Sequence, residues 1–340
     1  MSTDSLITQL KHALPSGSVE GKVPLSEHCS FRVGGPADLF IRVKTQEELA
    51  RTIALLREAK EPFFVLGRGT NLLIGDGGYR GAIVTMCPGQ GDEGHFLSDI
   101  EVEGNRIRAG AGASLHSVAA AAARASLTGL EFAAGIPGTI GGGIVMNAGA
   151  YGGEMKQVVR EVCLLDLTDG GASRESADGG TSRESADGGA FRESADSGAF
   201  RVYSGEEMRF GYRTSRVKEE PSVVTRVTME LTPGNTEEIL ARMDDLAKQR
   251  RDKQPLEFPS AGSTFKRPEG YFAGKLIEDA GLKGLRRGDA EVSAKHSGFI
   301  INRGNATAAQ IRQLIEEVQQ KVYEDSGVLL EREVIYLGEF

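Results

Sequence analysis

Apolar positions recur at helical spacing between residues 45 and 60: Leu49, Ile53 and Leu56 follow a Thr45-x-x-Glu48 capping box, which predicts an amphipathic helix. Four consecutive apolar residues, Phe63, Phe64, Val65 and Leu66, then read as a buried strand that runs into Gly67-Arg68-Gly69-Thr70-Asn71 and on to Leu72-Leu73-Ile74. Ile100 and Val102 before Glu103-Gly104-Asn105, with Ile107 after it, predict a hairpin. An alanine-rich stretch over 114–126 predicts a helix, and apolar runs at 162–167, 200–203 and 223–231 predict strands. Asn235-x-x-Glu238 opens a helix reaching about Lys253; a last long helix starts at Asn305 or Thr307 and stops near Gly327, before a final strand over 328–337. Strands and helices do not alternate regularly, which favours an α+β fold over a doubly wound parallel sheet.

In that final strand, a period of two places Leu329, Glu331, Glu333, Ile335 and Leu337 on one face. Two carboxylates on an otherwise apolar face fit either an edge strand or a buried acid aimed at a site.

Residues 174–196 repeat Arg-Glu-Ser-Ala-Asp from Arg174, Arg183 and Arg192, a nine-residue period of glycine, small polar and charged residues. The unit offers no apolar face to stack, so a solvated loop inserted between two strands is expected there, not a solenoid.

The chain has 340 residues, 39% hydrophobic and 26% charged, which suits two or three globular domains. Its net charge of -8 argues against nucleic-acid binding through a broad basic face. Cys29, Cys87 and Cys163 show no Cys-x-x-Cys spacing, and His28, His95, His116 and His296 show no metal-ligand spacing, so no metal site is expected. The first residues lack a basic stretch followed by an apolar run, so a cytoplasmic protein is expected. Residues 132–153 carry no formal charge, but eight glycines and Pro137 argue against a membrane span.

Glycine fills 45 positions, nearly twice the usual ~7%. Consecutive backbone N–H groups in Gly67-Arg68-Gly69-Thr70-Asn71 fit either a plain tight turn or a nest for phosphate oxygens, with Arg68 adding charge. The turn is not a Rossmann fingerprint, since Leu72 stands at the third glycine position, and no Walker loop occurs. A second glycine-dense segment, with Gly135, Gly138, Thr139, Gly141 and Gly142 among apolar residues, lets backbone donors approach a large ligand closely. Together the two cradles favour a dinucleotide. Ser263, between Pro259 and Lys266, has no adjacent histidine to activate it as a nucleophile; it fits a Ser/Thr turn or a proton donor. Arg213 beside Tyr212 offers a planar fork for a carboxylate, or for a surface ion pair.

Eight blocks, in order and at compatible spacing from about residue 22 onward, carry a resemblance. They are His28 to Ala37, Leu66 to Leu73, Gly135 to Gly143, Asn147 to Glu154, Phe210 to Ser215, Pro259 to Lys266, Lys295 to Asn302 and Leu330 to Val334. Together they resemble the UDP-N-acetylenolpyruvoylglucosamine reductase family. The resemblance implies a flavoenzyme of peptidoglycan synthesis with an FAD-binding domain of the vanillyl-alcohol oxidase (PCMH) type over 22–220, in two lobes of about 22–98 and 99–220, with the insertion at 171–198. An N-terminal segment, 1–21, would precede it, and an α+β substrate domain, 221–340, would follow. FAD would lie on Gly67, Arg68, Gly69, Thr70, Asn71, Gly135, Gly138, Thr139, Gly141 and Gly142. NADPH would be the co-substrate, and UDP-N-acetylglucosamine enolpyruvate would be reduced to UDP-N-acetylmuramate by hydride from flavin N5 to C3 and a proton from Ser263 to C2. Arg213 and Glu333 complete the implied catalytic set, with Tyr212, Arg213 and Lys266 at the substrate. A monomer without membrane or nucleic-acid partners is expected. Arg267 stands where some members carry asparagine, which leaves a substrate contact there open, and no counterpart of a separate tyrosine-bearing substrate loop is visible, which points to the family's second subgroup. The competing readings are another FAD-dependent oxidase or dehydrogenase of the same fold, and a non-catalytic nucleotide-binding module.

Overall fold

The computed structural model describes residues 3–89, 96–167 and 200–340, so the repeat-bearing insertion expected at 171–198 lies outside the described residues. Helix α1 (Thr3–Ala13) and Leu14 bury Leu6, Leu10 and Leu14 in the first core, beside helix α2 (Gln46–Glu58). The leucines of the expected 1–21 segment, spaced four apart, pack into the core of the first lobe, and strand β1 (Ser18–Pro24) starts within it. Thr45 caps α2 as expected, accepting from Glu48 N at 3.1 Å. The reciprocal half of the capping box is not made. Instead the buried Glu48 carboxylate accepts from Ser16 N (2.7 Å) and Gly17 N (3.1 Å) in the turn after α1, and from Lys44 N (2.7 Å) just ahead of α2.

Strands β2 (Pro36–Arg42), β3 (Phe63–Leu66), β4 (Leu72–Ile74) and β5 (Tyr79–Thr85) follow. A four-stranded sheet runs β1-β2-β5-β3, with β1 antiparallel to β2 and both β2 and β3 parallel to β5. Because β3 is its edge, Phe63, Phe64 and Val65 are half-buried, less than the apolar run predicts. Period-two alternation divides the two core clusters across this sheet: Leu39, Ile41, Ala82 and Val84 join one, Phe40 and Ile83 the other.

The hairpin predicted around Gly104 forms from β6 (Ile100–Glu103) and β7 (Arg106–Gly110), with Gly104 at φ +56°. Helix α3 (Leu115–Arg124), capped by Ser114, and helix α4 (Ile140–Val145) come next. An antiparallel five-stranded sheet then orders Phe200–Ser204, Val159–Asp166, Ser222–Glu230, β7 and β6. Ser222–Glu230 is its central strand, burying Val223, Val224, Val227 and Met229. The boundary expected at 220/221 thus falls in front of a strand this sheet cannot do without. Helix Thr236–Lys253 also packs on α3, which carries the unit to about residue 253. That strand's partners lie far away in the chain, out of reach of a local reading.

The remainder forms helices Ala273–Asp279 and Ala308–Ser326 with a small antiparallel sheet of Arg286–Arg287, Ala290–Val292 and Ile300–Asn302. Thr307, not Asn305, caps the long helix through a complete box with Gln310, and Gly327 at φ +70° ends it. Ile311, Leu314, Ile315 and Val318 share the second core with Phe40, Ile83, Leu73 and Ile74. Asp76 adds a polar clasp, accepting from Ala308 N (2.8 Å) and Ala309 N (2.9 Å) at that helix's start.

The long final strand expected over 328–337 shrinks to Ile335–Leu337, which pairs in parallel with β4. The single face expected there is broken as well. Leu329 is 72% exposed, Leu330 and Val334 are buried, and Glu331 is exposed while the Glu333 side chain is enclosed. Separate bonds hold this stretch, from Lys266 N to Glu331 O (2.8 Å) and from Glu333 N to Thr264 O (2.9 Å), and they impose no continuous strand period. Among the described residues, no helix is long and apolar enough to cross a membrane.

Candidate active site

Strand β3 ends at Leu66, and the chain turns through residues 67–71 before re-entering as β4. Gly69 has φ +60°, and a Cβ there would stand 2.2 Å from His28 O, so only glycine fits. Ser30 N pins the turn by donating to Gly69 O at 3.1 Å. The amides of Arg68, Gly69 and Thr70 have no acceptor among the described residues.

The second glycine segment lies directly against this turn. Thr70 Oγ1 donates to Pro137 O at 3.0 Å, and a Cβ on Gly67 would come within 2.7 Å of Thr139 Oγ1. Thr139 caps α4 by accepting from Gly142 N at 3.2 Å. Ile140 N and Gly141 N donate to Ala113 O (2.8 Å) and Ala111 O (2.9 Å). Gly141 and Gly142 therefore shape the cradle with amides already committed, while the amides of Gly138 and Thr139 have no acceptor among the described residues. Two adjoining loops with open donors, and with no room for side chains at Gly67 or Gly69, fit the phosphates of a dinucleotide such as FAD.

Asn71 joins this cradle to the acid. Its Nδ2 donates to Glu333 O at 3.1 Å, and its carbonyl accepts from Ile335 N at 3.0 Å. The Glu333 carboxylate accepts from Arg213 Nε at 2.5 Å, both side chains being largely enclosed. Burial pushes the Glu333 carboxyl above its ordinary value; Arg213, then Lys218 and Lys266, pull against that. Arg213 sits at φ +56°, left-handed backbone that β-carbon sterics disfavour, at the tip of a turn closed by Gly211 N to Thr214 O (3.1 Å). Lys218 Nζ donates to Arg213 O at 3.0 Å, and desolvation holds that lysine below its usual value.

Ser263 is positioned by its buried neighbour. Thr264 N donates to Gly298 O (2.9 Å), and Thr264 Oγ1 accepts from Ile300 N (3.1 Å). Thr264 O accepts from Glu333 N, so serine and acid share one backbone frame. The Ser263 hydroxyl is exposed and has no hydrogen-bond partner among the described residues.

Ser263, Arg213, Glu333 and Tyr212 line one cleft of about 360 Å³. Tyr212 OH accepts from Arg267 N at 3.1 Å, linking the arginine turn to the C-terminal unit. Arg267, Lys275, Lys283 and Lys295 outnumber the acidic Glu278 on the wall, although Lys283 pairs with Glu278 and Lys275 with Asp279. Lys266, expected at the substrate, is paired with Glu331 and is not among the lining residues. His296 does line the cleft; its Nδ1 accepts from Gly298 N at 3.1 Å, and burial lowers its pKa, favouring the neutral ring at pH 7. His116 Nδ1 lies 2.9 Å from Ala134 O, and His28 stacks on Phe40. Among the described residues, no group of three His, Cys, Asp or Glu side chains could hold a metal ion. The cleft lysines 275, 283 and 295 escaped sequence reasoning, because only the fold gathers such separated surface residues on one wall.

Paired backbone cradles against a cleft with an arginine, an acid and an uncommitted hydroxyl make up a flavin-binding oxidoreductase, and a sequence model of the FAD binding domain matches residues 37–173. The C-terminal domain model of UDP-N-acetylenolpyruvoylglucosamine reductase matches residues 254–337. The UDP-N-acetylenolpyruvoylglucosamine reductase of Caldanaerobacter subterraneus subsp. tengcongensis is 46% identical over 98% of each chain, and that of Clostridioides difficile 41% over 100% of each. The crystal structure of the Thermus caldophilus UDP-N-acetylenolpyruvylglucosamine reductase superposes with a TM-score of 0.72 at 35% identity, covering 94% of this chain and 99% of that one. The chain belongs to the UDP-N-acetylenolpyruvoylglucosamine reductase family.

Proposed function

We propose that this chain uses NADPH to reduce the enolpyruvyl group of UDP-N-acetylglucosamine enolpyruvate, giving UDP-N-acetylmuramate for peptidoglycan synthesis. The observation that carries this reading is the convergence of Ser263, Arg213 and Glu333 on one cleft, with Glu333 tied through Asn71 to the dinucleotide cradle. FAD, when bound and reduced by NADPH, supplies the hydride that C3 receives. Negative charge then develops from C2 into the carboxylate, and the Arg213 guanidinium stabilises it. Glu333 holds that guanidinium through Nε, leaving the rest of the fork for the substrate. Ser263 donates its hydroxyl proton to C2 and is reprotonated from solvent. Arg267 and the cleft lysines provide the positive wall for the UDP diphosphate, and Tyr212 frames the entrance. Lys266 pairs with Glu331 in the segment just before Glu333. Three free thiols, Cys29, Cys87 and Cys163, support a cytoplasmic setting, and the protein acts as a monomer in this reading.

The test is spectroscopic. Purified protein should be yellow, bleach with anaerobic NADPH, and regain its visible absorbance on addition of UDP-N-acetylglucosamine enolpyruvate with one equivalent of UDP-N-acetylmuramate formed. A colourless protein, or colour restored only by oxygen, overturns the reading.

A further inference from the structure

Asn147 lies outside the cleft, is 2% exposed, and has every polar atom of its side chain engaged. Oδ1 accepts from Lys156 N at 2.9 Å, while Nδ2 donates to Glu154 Oε2 at 2.9 Å and to Gly211 O at 3.1 Å. Its own backbone is left-handed, at φ +42°. Gly211 opens the turn that presents Arg213, so one carboxamide ties that turn to the segment just after α4. A second strap runs parallel to it, from Ser215 Oγ to Val145 O (3.1 Å), the last residue of α4. At its other end α4 is capped by Thr139 of the cradle. The path from cradle to arginine is therefore α4, Asn147, Gly211, Arg213; the path from cradle to acid is Asn71, Glu333. The two paths meet in the Arg213–Glu333 pair.

We infer that Asn147 is a positioning residue for the reduction, fixing the strained turn of Arg213 relative to the cofactor cradle. A disfavoured backbone conformation persists only where its surroundings over-determine it, and Asn147 is the buried group that grips this turn at its first carbonyl. Removing the grip lets the turn relax and the guanidinium drift, and displacements of about 1 Å can cost on the order of 10²-fold in rate.

The inference rests on the role given to Arg213 above, and the experiment separates the two. Asn147→Ala leaves buried groups unpaired and risks loss of the fold, so the informative variant is Asn147→Asp combined with Glu154→Gln. That exchange keeps one amide facing one carboxylate and an acceptor for Lys156 N, but leaves Gly211 O without its donor. Glu154→Gln alone keeps the Asn147 amide on Gly211 O, although it gives up one acceptor that Asn147 Nδ2 and the Gln157 N cap now share, and should turn over within about threefold of the wild type. The exchange should retain bound FAD and NADPH-dependent bleaching within about threefold, yet slow the reaction with the enolpyruvyl substrate by about 10- to 100-fold. In an Arg213→Ala background the same exchange should slow that reaction by less than about twofold further, because Asn147 acts through Arg213. Unchanged turnover in the exchange variant, or a full multiplicative loss in the Arg213→Ala background, overturns the positioning role. Wild-type turnover in Arg213→Ala itself would instead refute the role of Arg213, and the inference with it.

Discussion

Arg213 Nε meets Glu333 Oε1 at 2.5 Å although 120 positions separate the two residues, one on a turn beside the five-stranded sheet and the other just before the last strand. Because burial raises the Glu333 carboxyl above its ordinary 4.5, the folded chain holds that proton to higher pH than the unfolded chain does. The contribution of Glu333 to stability is then fullest below pH 4.5 and declines as pH rises through the raised value. Glu333→Gln removes that dependence. Calorimetry from about pH 4 to about pH 7 should show the melting temperature of the variant gaining on the wild type with rising pH. A constant difference across the range would contradict the burial argument.

Ser263→Ala should leave NADPH-driven bleaching within about threefold, while slowing reoxidation by the enolpyruvyl substrate by about 10²- to 10⁴-fold. Stopped-flow absorbance follows both half-reactions separately. Equal loss in the two would remove Ser263 from the proton-donor role.

The two cradle glycines should fail differently. Gly69→Ala combines a positive φ with a Cβ 2.2 Å from His28 O, and should cost about 2 kcal/mol or more of stability along with flavin occupancy. Gly67→Ala collides only with the Thr139 hydroxyl, at 2.7 Å. It should therefore lower FAD affinity at least about tenfold with a smaller change in melting temperature, since the donors must spread apart. Flavin fluorescence titration and thermal melts distinguish the two outcomes.

Arg267 forms no ion pair among the described residues, and its guanidinium lies over the Phe272 ring at the cleft wall. Arg267→Ala should raise KM for the UDP substrate about tenfold with kcat within about twofold, and the defect should shrink as salt is added. An unchanged KM would place the diphosphate elsewhere.

The insertion can be tested by removal. Leu165 pairs with Phe200, so the strand ends on either side of the insertion already lie opposite each other. Replacing residues 171–198 by a short Asn-Gly turn should keep turnover within about twofold. A collapse in activity or folding would show that the repeat contributes to the core structure.

Local chemistry made much of this fold readable. Thr45, Ser114, Asn235 and Thr307 cap the helices their sequences announce, and Gly104 and Gly327 stand in the left-handed backbone their turns require. What escaped was set by distant partners. Ser222–Glu230 is central only because β7 and Val159–Asp166 flank it, and residues 328–334 lose their strand period to bonds from the 264–266 segment. The same holds at the site. Each glycine cradle is visible in its own stretch of sequence, but their contact through Thr70 and Pro137 is not. Asn147 reads as one more polar residue in a glycine-rich loop until its amide is seen on Gly211.

The parallel pairing of Ile335–Leu337 with β4 sets a timetable for synthesis. Leu72–Ile74 leave the ribosome about 260 residues ahead of their partner, a wait of roughly 13 to 50 s at 5–20 residues per second. Until then the strand beside the nucleotide loop has no strand partner among the described residues, and Glu333 is not yet made. On the proposed reading, nascent chains that stop before codon 333 carry a nearly complete flavin unit without the acid that holds Arg213, and their unpartnered strand is open to edge-to-edge association.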